Sequence, residues 1–365
     1  MLFRVAGARD QKLGAADCRL QVDNKPDSCV TTDSEKFGEF DRGASGLLKR
    51  IALSNEFGLF ALIVIAVLVF ASLASGFLSN FNLYLLGRII AVNAMIGFSM
   101  MVVLVTGGLN LAVGAIGVCV AMTCGWLIED IGLPWYLAML LAIGVGAGLG
   151  AINGFGVVWS GLHSFIVTLA TMSIFFGGMI FLTRAESFRE MPELFTEFSR
   201  LKFFGILSAM LIPTVIVAVL LGALYHFTRI GKEMLAAGAQ AAAAEQSGLR
   251  VSRLFVMCHA LSGAVAGCAG LMLLARNGAA IPAMAGNLGQ DWLLIAFLGP
   301  VLGGTLLLGG QVSVLGAVLG AALVSILSNG LLLVQVGEFW VQACLGLMLL
   351  LAVVLDKFRR SFVQT

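Results

Sequence analysis

The sequence predicts an all-α polytopic membrane protein of about ten transmembrane helices, interrupted by broken, glycine-rich segments. Three observations lead there. Of the 365 residues 59% are hydrophobic and only 12% charged, with a mean hydropathy of +1.00. A soluble domain carries about 25% charged residues, so half of a water-facing skin is missing. The charge is also crowded at one end: residues 1–57 hold 9 of the 22 Lys and Arg and 9 of the 20 Asp and Glu. Beyond them, apolar stretches of about twenty residues recur, each enough for a helix to cross the hydrocarbon.

Residues 1–57 mix both charge signs with Gly, Ser and Asp and read as a polar tail on the cytoplasmic side. The first long apolar stretch begins near Gly58, far beyond the usual position of a signal-peptide core, so no secretory signal is expected. Residues 58–355 form the transmembrane domain. Its spans are expected at Gly58–Phe77, Leu83–Thr106, Leu109–Ile128, Pro134–Val157 and Ser164–Thr183. A charged insert, Arg184–Phe204, follows. The remaining spans are Leu207–Phe227, Arg253–Ala275, Asp291–Leu308, Val312–Val336 and Phe339–Leu355, with 356–365 as a short second tail.

An even number of crossings puts both termini on one side, and the positive-inside rule tests which. With cytoplasmic termini, the inner segments 1–57, 229–253 and 356–365 carry 9, 4 and 3 basic residues, 16 together. The outer segments carry five: Arg184, Arg189, Arg200, Lys202 and Arg276. Cytoplasmic termini are expected.

Most of the 45 glycines are explained by close helix packing, which lipid does not otherwise drive. Two dense runs differ. Gly107–Gly117 contains Asn110, and Gly299–Gly310 contains Pro300 and Thr305. Breaks of this kind free backbone polar groups and are tolerated only against protein or a water-lined path.

Chemistry of other kinds finds little support. No expected span has Asp, Glu or Lys near its middle, and Arg88 lies near an outer end from which it can snorkel. The phosphate-loop pattern is absent, since Gly231-Lys232 is followed by Glu233. His163, His226 and His259 are isolated, and the seven cysteines form no metal-binding spacing. No metal site, no catalytic residue and no cofactor are expected in this chain. A net charge of +2 leaves no footprint for nucleic acid.

The cytoplasmic loop 229–252 is the most informative polar segment. Its Ala-rich run from Gly231 to Gly248 favours helix. Gly248 is placed as a C-terminal cap, and Gly238 is expected to split the run into two short pieces. A small-residue helix projecting from the membrane suits docking into a partner's groove; an ordinary connecting helix is the alternative.

Four stretches resemble one family. They are Val105-Thr-Gly-Gly-Leu-Asn-Leu-Ala-Val-Gly114, Asn153-Gly154 with Ser164-Phe-Ile-Val-Thr-Leu-Ala-Thr-Met172, the loop 231–249, and Val301-Leu-Gly-Gly-Thr305 through Gly316. In this order, from about Phe77 to Leu355, they are similar to the sugar permeases of ATP-binding-cassette importers, the ribose, xylose and galactoside group. The chain departs from that pattern at Asn110 (usually Asp), Ala112 (Ser), Ser164 (Pro), Gln240 (Asn) and Leu306 (Ser). The architecture is undisturbed, and the identity of the solute is left open.

The resemblance implies a bacterial inner-membrane permease homodimer working with a cytoplasmic ATPase, which binds the ATP and Mg, and with a periplasmic sugar-binding protein. It makes the 231–249 loop a coupling element, with Gly231, Lys232, Glu233, Gly238, Glu245, Ser247 and Gly248 as candidate ATPase contacts. The expected mechanism is alternating access for a sugar or polyol. Candidate pathway residues are Asn110 and Thr305 first, then Asn93, Asn153, Thr168, Thr171 and Asn329. Interhelical hydrogen bonding is the competing role for each. A facilitator or secondary carrier, and a branched-chain amino-acid importer permease, are the alternative functions.

Overall fold

Inside a bilayer a backbone has to satisfy its own N–H and C=O groups, which selects helix wherever the sequence is apolar for long enough. A computed structural model describes residues 55–203, 205–282, 284–337, 340–348 and 350. The helices are α1 (Asn55–Leu73), α2 (Asn80–Leu104), α3 (Val113–Glu129), α4 (Trp135–Ser160), α5 (Ser164–Thr183), α6 (Glu193–Arg200), α7 (Leu211–Phe227), α8 (Arg229–Ala239), α9 (Ala241–Gln246), α10 (Val251–Asn277), α11 (Met284–Leu302) and α12 (Val314–Leu333). Residues 340–348 are helical as well. Between α6 and α7, the two-residue strands β1 (Lys202–Phe203) and β2 (Leu207–Ser208) pair antiparallel, Lys202 opposite Ser208.

Six of these helices are long and apolar enough to cross a membrane: α1, α2, α4, α5, α10 and α12. A seventh crossing results if α7 and α8, bent by 76°, count as one. Helix length supports six or seven full spans among the described residues, and the last expected span, Phe339–Leu355, lies partly outside them. Two other expected spans are cut by a local cause. Residues 109–112 are not helical, so α3 starts at Val113 and not at Leu109, and α11 stops at Leu302 and not at Leu308. In both places the glycine run takes over from the helix.

Other boundaries move too. The first helix begins at Asn55, within the expected tail, and ends at Leu73. Residues 207–208, expected to open a span, belong to the hairpin. The rest of the amino-terminal tail, and the carboxyl-terminal tail 356–365, lie outside the described residues.

The centre of the bundle is α10, flanked by α2, α3 and α4. The contact with α4 is backbone to backbone: a Cβ on Gly150 would collide with the His259 carbonyl, and one on Gly263 with the Gly146 carbonyl. On α2, residues 91–104 are all buried. The outward faces of α1, α4, α5 and α7 carry Phe60, Leu140, Trp159, Phe181, Leu182 and Leu220 exposed. Contiguous apolar surface of this extent is a liability in water and the expected solvent-facing surface in lipid.

The charged insert is a cap over one set of helix ends. Phe188 exchanges two backbone hydrogen bonds with Ala280, 2.9 and 2.8 Å. The Glu129 carboxylate accepts from the backbone N–H groups of Arg189 and Glu190, 2.8 and 3.1 Å. Tyr84 donates to the carbonyls of Ser199 and Arg200, and Ser199 Oγ to the Ala275 carbonyl.

Candidate functional site

The first glycine run leaves α2 at Leu104 and re-enters helix at Val113, exposing backbone donors that no helix satisfies. Side chains from several helices close them. Leu109 N–H donates to Ser164 Oγ (2.9 Å) and Leu111 N–H to Thr168 Oγ1 (3.1 Å), both on α5. Ala112 N–H donates to Asn110 Oδ1 (3.1 Å), an Asx turn that caps α3 where Ala112 has no side-chain cap to offer. Asn110 Nδ2 donates to Ser262 Oγ on α10 (3.0 Å), and Asn153 Nδ2 on α4 reaches Asn110 Oδ1 at 3.4 Å. Ser99 on α2 completes the group, its hydroxyl donating to the Ser262 carbonyl (2.9 Å) and lying 3.1 Å from Ser262 Oγ.

Asn110, Asn153, Thr168, Ser99 and Ser262 are all fully buried. Two polar atoms nearby have no hydrogen-bond partner, Asn153 Oδ1 and His259 Nε2, although His259 Nδ1 lies 3.0 Å from the Phe255 carbonyl. The arrangement is a buried polar knot, made of hydrogen bonds and containing no charged side chain.

The second run follows α11. Pro300 lies in its last turn, and Thr305 N–H donates to the Pro300 carbonyl (2.9 Å). Thr305 Oγ1 is buried without a partner. Re-entry into helix is capped by Ser313, whose Oγ accepts from Gly316 N–H (2.9 Å) and donates to Glu56 at the start of α1 (2.7 Å). The two runs meet: Gly310 N–H donates to the Val105 carbonyl, 2.9 Å.

The segment after α7 turns away through Thr228. Its hydroxyl donates to the Leu224 carbonyl (2.6 Å) and accepts from Gly231 N–H (3.1 Å), ending one helix and capping the next. Gly231 packs directly on the Leu224 carbonyl. The split expected at Gly238 falls two residues later: Gly238 is helical, and the chain breaks at Gln240, whose φ of −157° and ψ of 96° are extended. Gly238 is instead a contact residue, facing the Val105 carbonyl. Gly248 ends α9 as expected, at φ +84°, with Leu249 N–H donating to the Ala244 carbonyl (3.1 Å). Lys232 and Glu245 are exposed on this segment.

Residues 81–353 match the family model described as "Branched-chain amino acid transport system / permease component". The ribose import permease of Bacillus subtilis is 34% identical over 306 residues, 83% of this chain and 93% of that protein. The D-allose permease of Escherichia coli is 32% identical over 304 residues, 83% and 92%. The fructose import permease of Rhizobium meliloti is 30% identical over 341 residues, 91% and 93%. The chain belongs to the sugar-permease family of ATP-binding-cassette importers. No solved structure matches it.

Within this permease the expected pathway residues divide into three groups. Asn110, Asn153 and Thr168 come together in the knot, and Thr171, a turn beyond, donates to the Thr168 carbonyl (3.2 Å). Asn93 and Asn329 lie on a different seam, between α2 and α12, where Asn93 Nδ2 donates to Ser325 Oγ (2.9 Å) and Asn329 Nδ2 to Asn82 Oδ1 (3.1 Å). Thr305 stands apart in the second run. Sequence reasoning misses Ser99, Ser262, Ser164, His259 and Ser325 as members of these groups. Each is a lone polar residue in an apolar stretch, and nothing local distinguishes those that meet across helices from those that bond their own turn.

Two apolar recesses, about 530 and 610 Å³, lie among α3, α4 and α5 and beneath α6 and α7. Neither is lined by a pathway candidate.

Proposed function

We propose that this permease forms the membrane path of an ATP-driven importer that carries a sugar or polyol into a bacterial cell. A cytoplasmic ATPase powers it, and a periplasmic sugar-binding protein loads it. The observation that carries the reading is the match, over nine tenths of their own length, to permeases named for ribose, allose and fructose. The family description names branched-chain amino acids, so a solute panel has to contain both.

The physical arrangement supports an external engine. Among the described residues Glu56 and Glu129 are at helix ends, and Asp291, within α11, directly precedes that helix's apolar stretch Trp292–Leu302. A proton-coupled carrier uses a carboxylate deep within a span, and the six described helices long and apolar enough to cross a membrane carry Asp or Glu only at an end, as Glu56. The segment 229–248 is the docking element for the ATPase, and the cap 184–204 with the loop after α10 receives the binding protein. Both termini are cytoplasmic in this reading, and the bond of Glu56, at the start of α1, to Ser313, close to the run that meets the docking segment, supports it for the amino-terminal side. Two copies of the permease form the path, between them or through each, and Asn110 and Thr305 in the glycine runs are the leading candidates for residues beside it. The chain itself carries out no catalysis.

The test is reconstitution with the partner ATPase and binding protein in vesicles, with labelled ribose, fructose, allose, a polyol and leucine supplied in turn. Uptake of a sugar or polyol that needs all three components and ATP is expected. Concentrative uptake by the permease alone, or uptake of leucine only, overturns the proposal.

A further inference from the structure

Gly238 holds the docking segment against both membrane breaks at once, and from this contact we infer that Gly238 is the positioning residue through which movement of that segment reaches the path. The inference rests on the reading of 229–248 as the ATPase-docking element.

Three backbone strands meet at the junction. Gly238, on α8, has no side chain, and the space a Cβ would occupy holds the Val105 carbonyl, with Gly310 N 2.6 Å from that position. Those two atoms are hydrogen-bonded to each other at 2.9 Å. A Cβ on Gly309 would meet Gly107 N at 2.7 Å, and one on Gly310 would meet the Ala239 Cα at 2.7 Å. Gly309 and Gly310 have φ of +87° and +81°, a left-handed conformation that lets their backbones face this way and that other residues rarely adopt. The end of α8 is therefore packed, atom on atom, against the strand leaving α2 and the strand leaving α11.

The consequence is mechanical. Val105 is five residues from Asn110, and Gly310 is five from Thr305. Close-packed backbone transmits displacement because it cannot be compressed. A shift of α8 moves both breaks together, whereas a soft side-chain contact would absorb part of it. Bistable packing of this kind turns a small shift at one site into a change at another.

The experiment uses the complete importer in vesicles. Gly238→Ala should leave the ATPase bound and hydrolysing ATP, while solute carried per ATP falls about tenfold or more. Gly222→Ala, where a Cβ meets no atom within 4 Å, should leave this ratio unchanged. A second arm covers the case in which Gly238→Ala fails to assemble. The pair Ala239→Cys and Gln311→Cys, exposed positions flanking the contact between Ala239 and Gly310, should cross-link under mild oxidation. Uptake should stop while ATP hydrolysis continues, and reductant should restore it. An unchanged transport-to-ATP ratio in Gly238→Ala, no cross-link in the pair, or normal uptake by the cross-linked importer overturns the inference. Failure of the docking reading itself registers separately, as unchanged ATPase binding when Lys232→Glu and Glu245→Lys are combined.

Discussion

The hydrogen bonds around Asn110 are ones that an aspartate at this position could keep. Its Oδ1 accepts from Ala112 N–H and faces the Asn153 amide, and its Nδ2 donates to the Ser262 hydroxyl. A carboxylate would keep the first two donors and take a third from Ser262, whose hydroxyl can reverse its role. Asn110→Asp is therefore expected to fold and to import. Asn110→Leu leaves Ser262 and the Ala112 N–H without their partner. A hydrogen bond in a membrane interior is worth about 0.6 to 2 kcal/mol, so that variant should lose several degrees of melting temperature in detergent. Thr168→Val should behave like Asn110→Leu, because the Leu111 N–H loses the oxygen it donates to. Equal melting temperatures for Thr168→Val and the parent protein would remove the structural role assigned to this threonine.

Among the helices, glycine has two uses that composition does not separate. On α4, Gly150 packs against the backbone of α10, while Gly144 and Gly148 face outward, with no atom within 4 Å of where a Cβ would stand. Gly150→Ala forces two backbones apart and should destabilise by about 1–3 kcal/mol. Gly148→Ala meets no obstacle and gains helix propensity, up to about 1 kcal/mol. Thermal unfolding of the two variants side by side should give shifts of opposite sign, and equal shifts would contradict this packing. The same reasoning separates Gly238 from Gly248. Both are legible as interruptions of an Ala-rich helix, yet one is a cap and the other a packed contact, because whether a carbonyl lies opposite a glycine is decided by another part of the chain.

At the scale of the molecule, the polypeptide has two distinct ends. The insert with α6 and the hairpin covers one, and the docking segment with the glycine junction lies at the other. Sidedness can be measured by cysteine accessibility. Glu190→Cys should react with an impermeant maleimide from outside the cell, and Ala243→Cys only after the membrane is opened; both positions are exposed. The reverse pattern would invert the orientation and with it the docking assignment. Exchange of Lys232 for Glu and Glu245 for Lys should lower the amount of ATPase that co-purifies, since these exposed charges lie on the proposed docking face.

Hydropathy is enough to place most of the helices and the two breaks, because each is a local response to one solvent: a stretch of about twenty apolar residues has the same preference for hydrocarbon whatever its neighbours are. The motifs are enough for the family. What cannot be read locally is which polar residues meet. Ser99 and Ser262 are 163 positions apart, and Asn93 and Ser325 are 232. Their pairing depends on the rotation of whole helices about their axes, which glycine contacts such as Gly150 with His259 set. The same packing puts the chain break at Gln240 in place of Gly238, and it delays the start of α3 to Val113 and ends α11 at Leu302, since an unwound backbone is stable at membrane depth only when side chains from other helices come to its hydrogen-bonding groups.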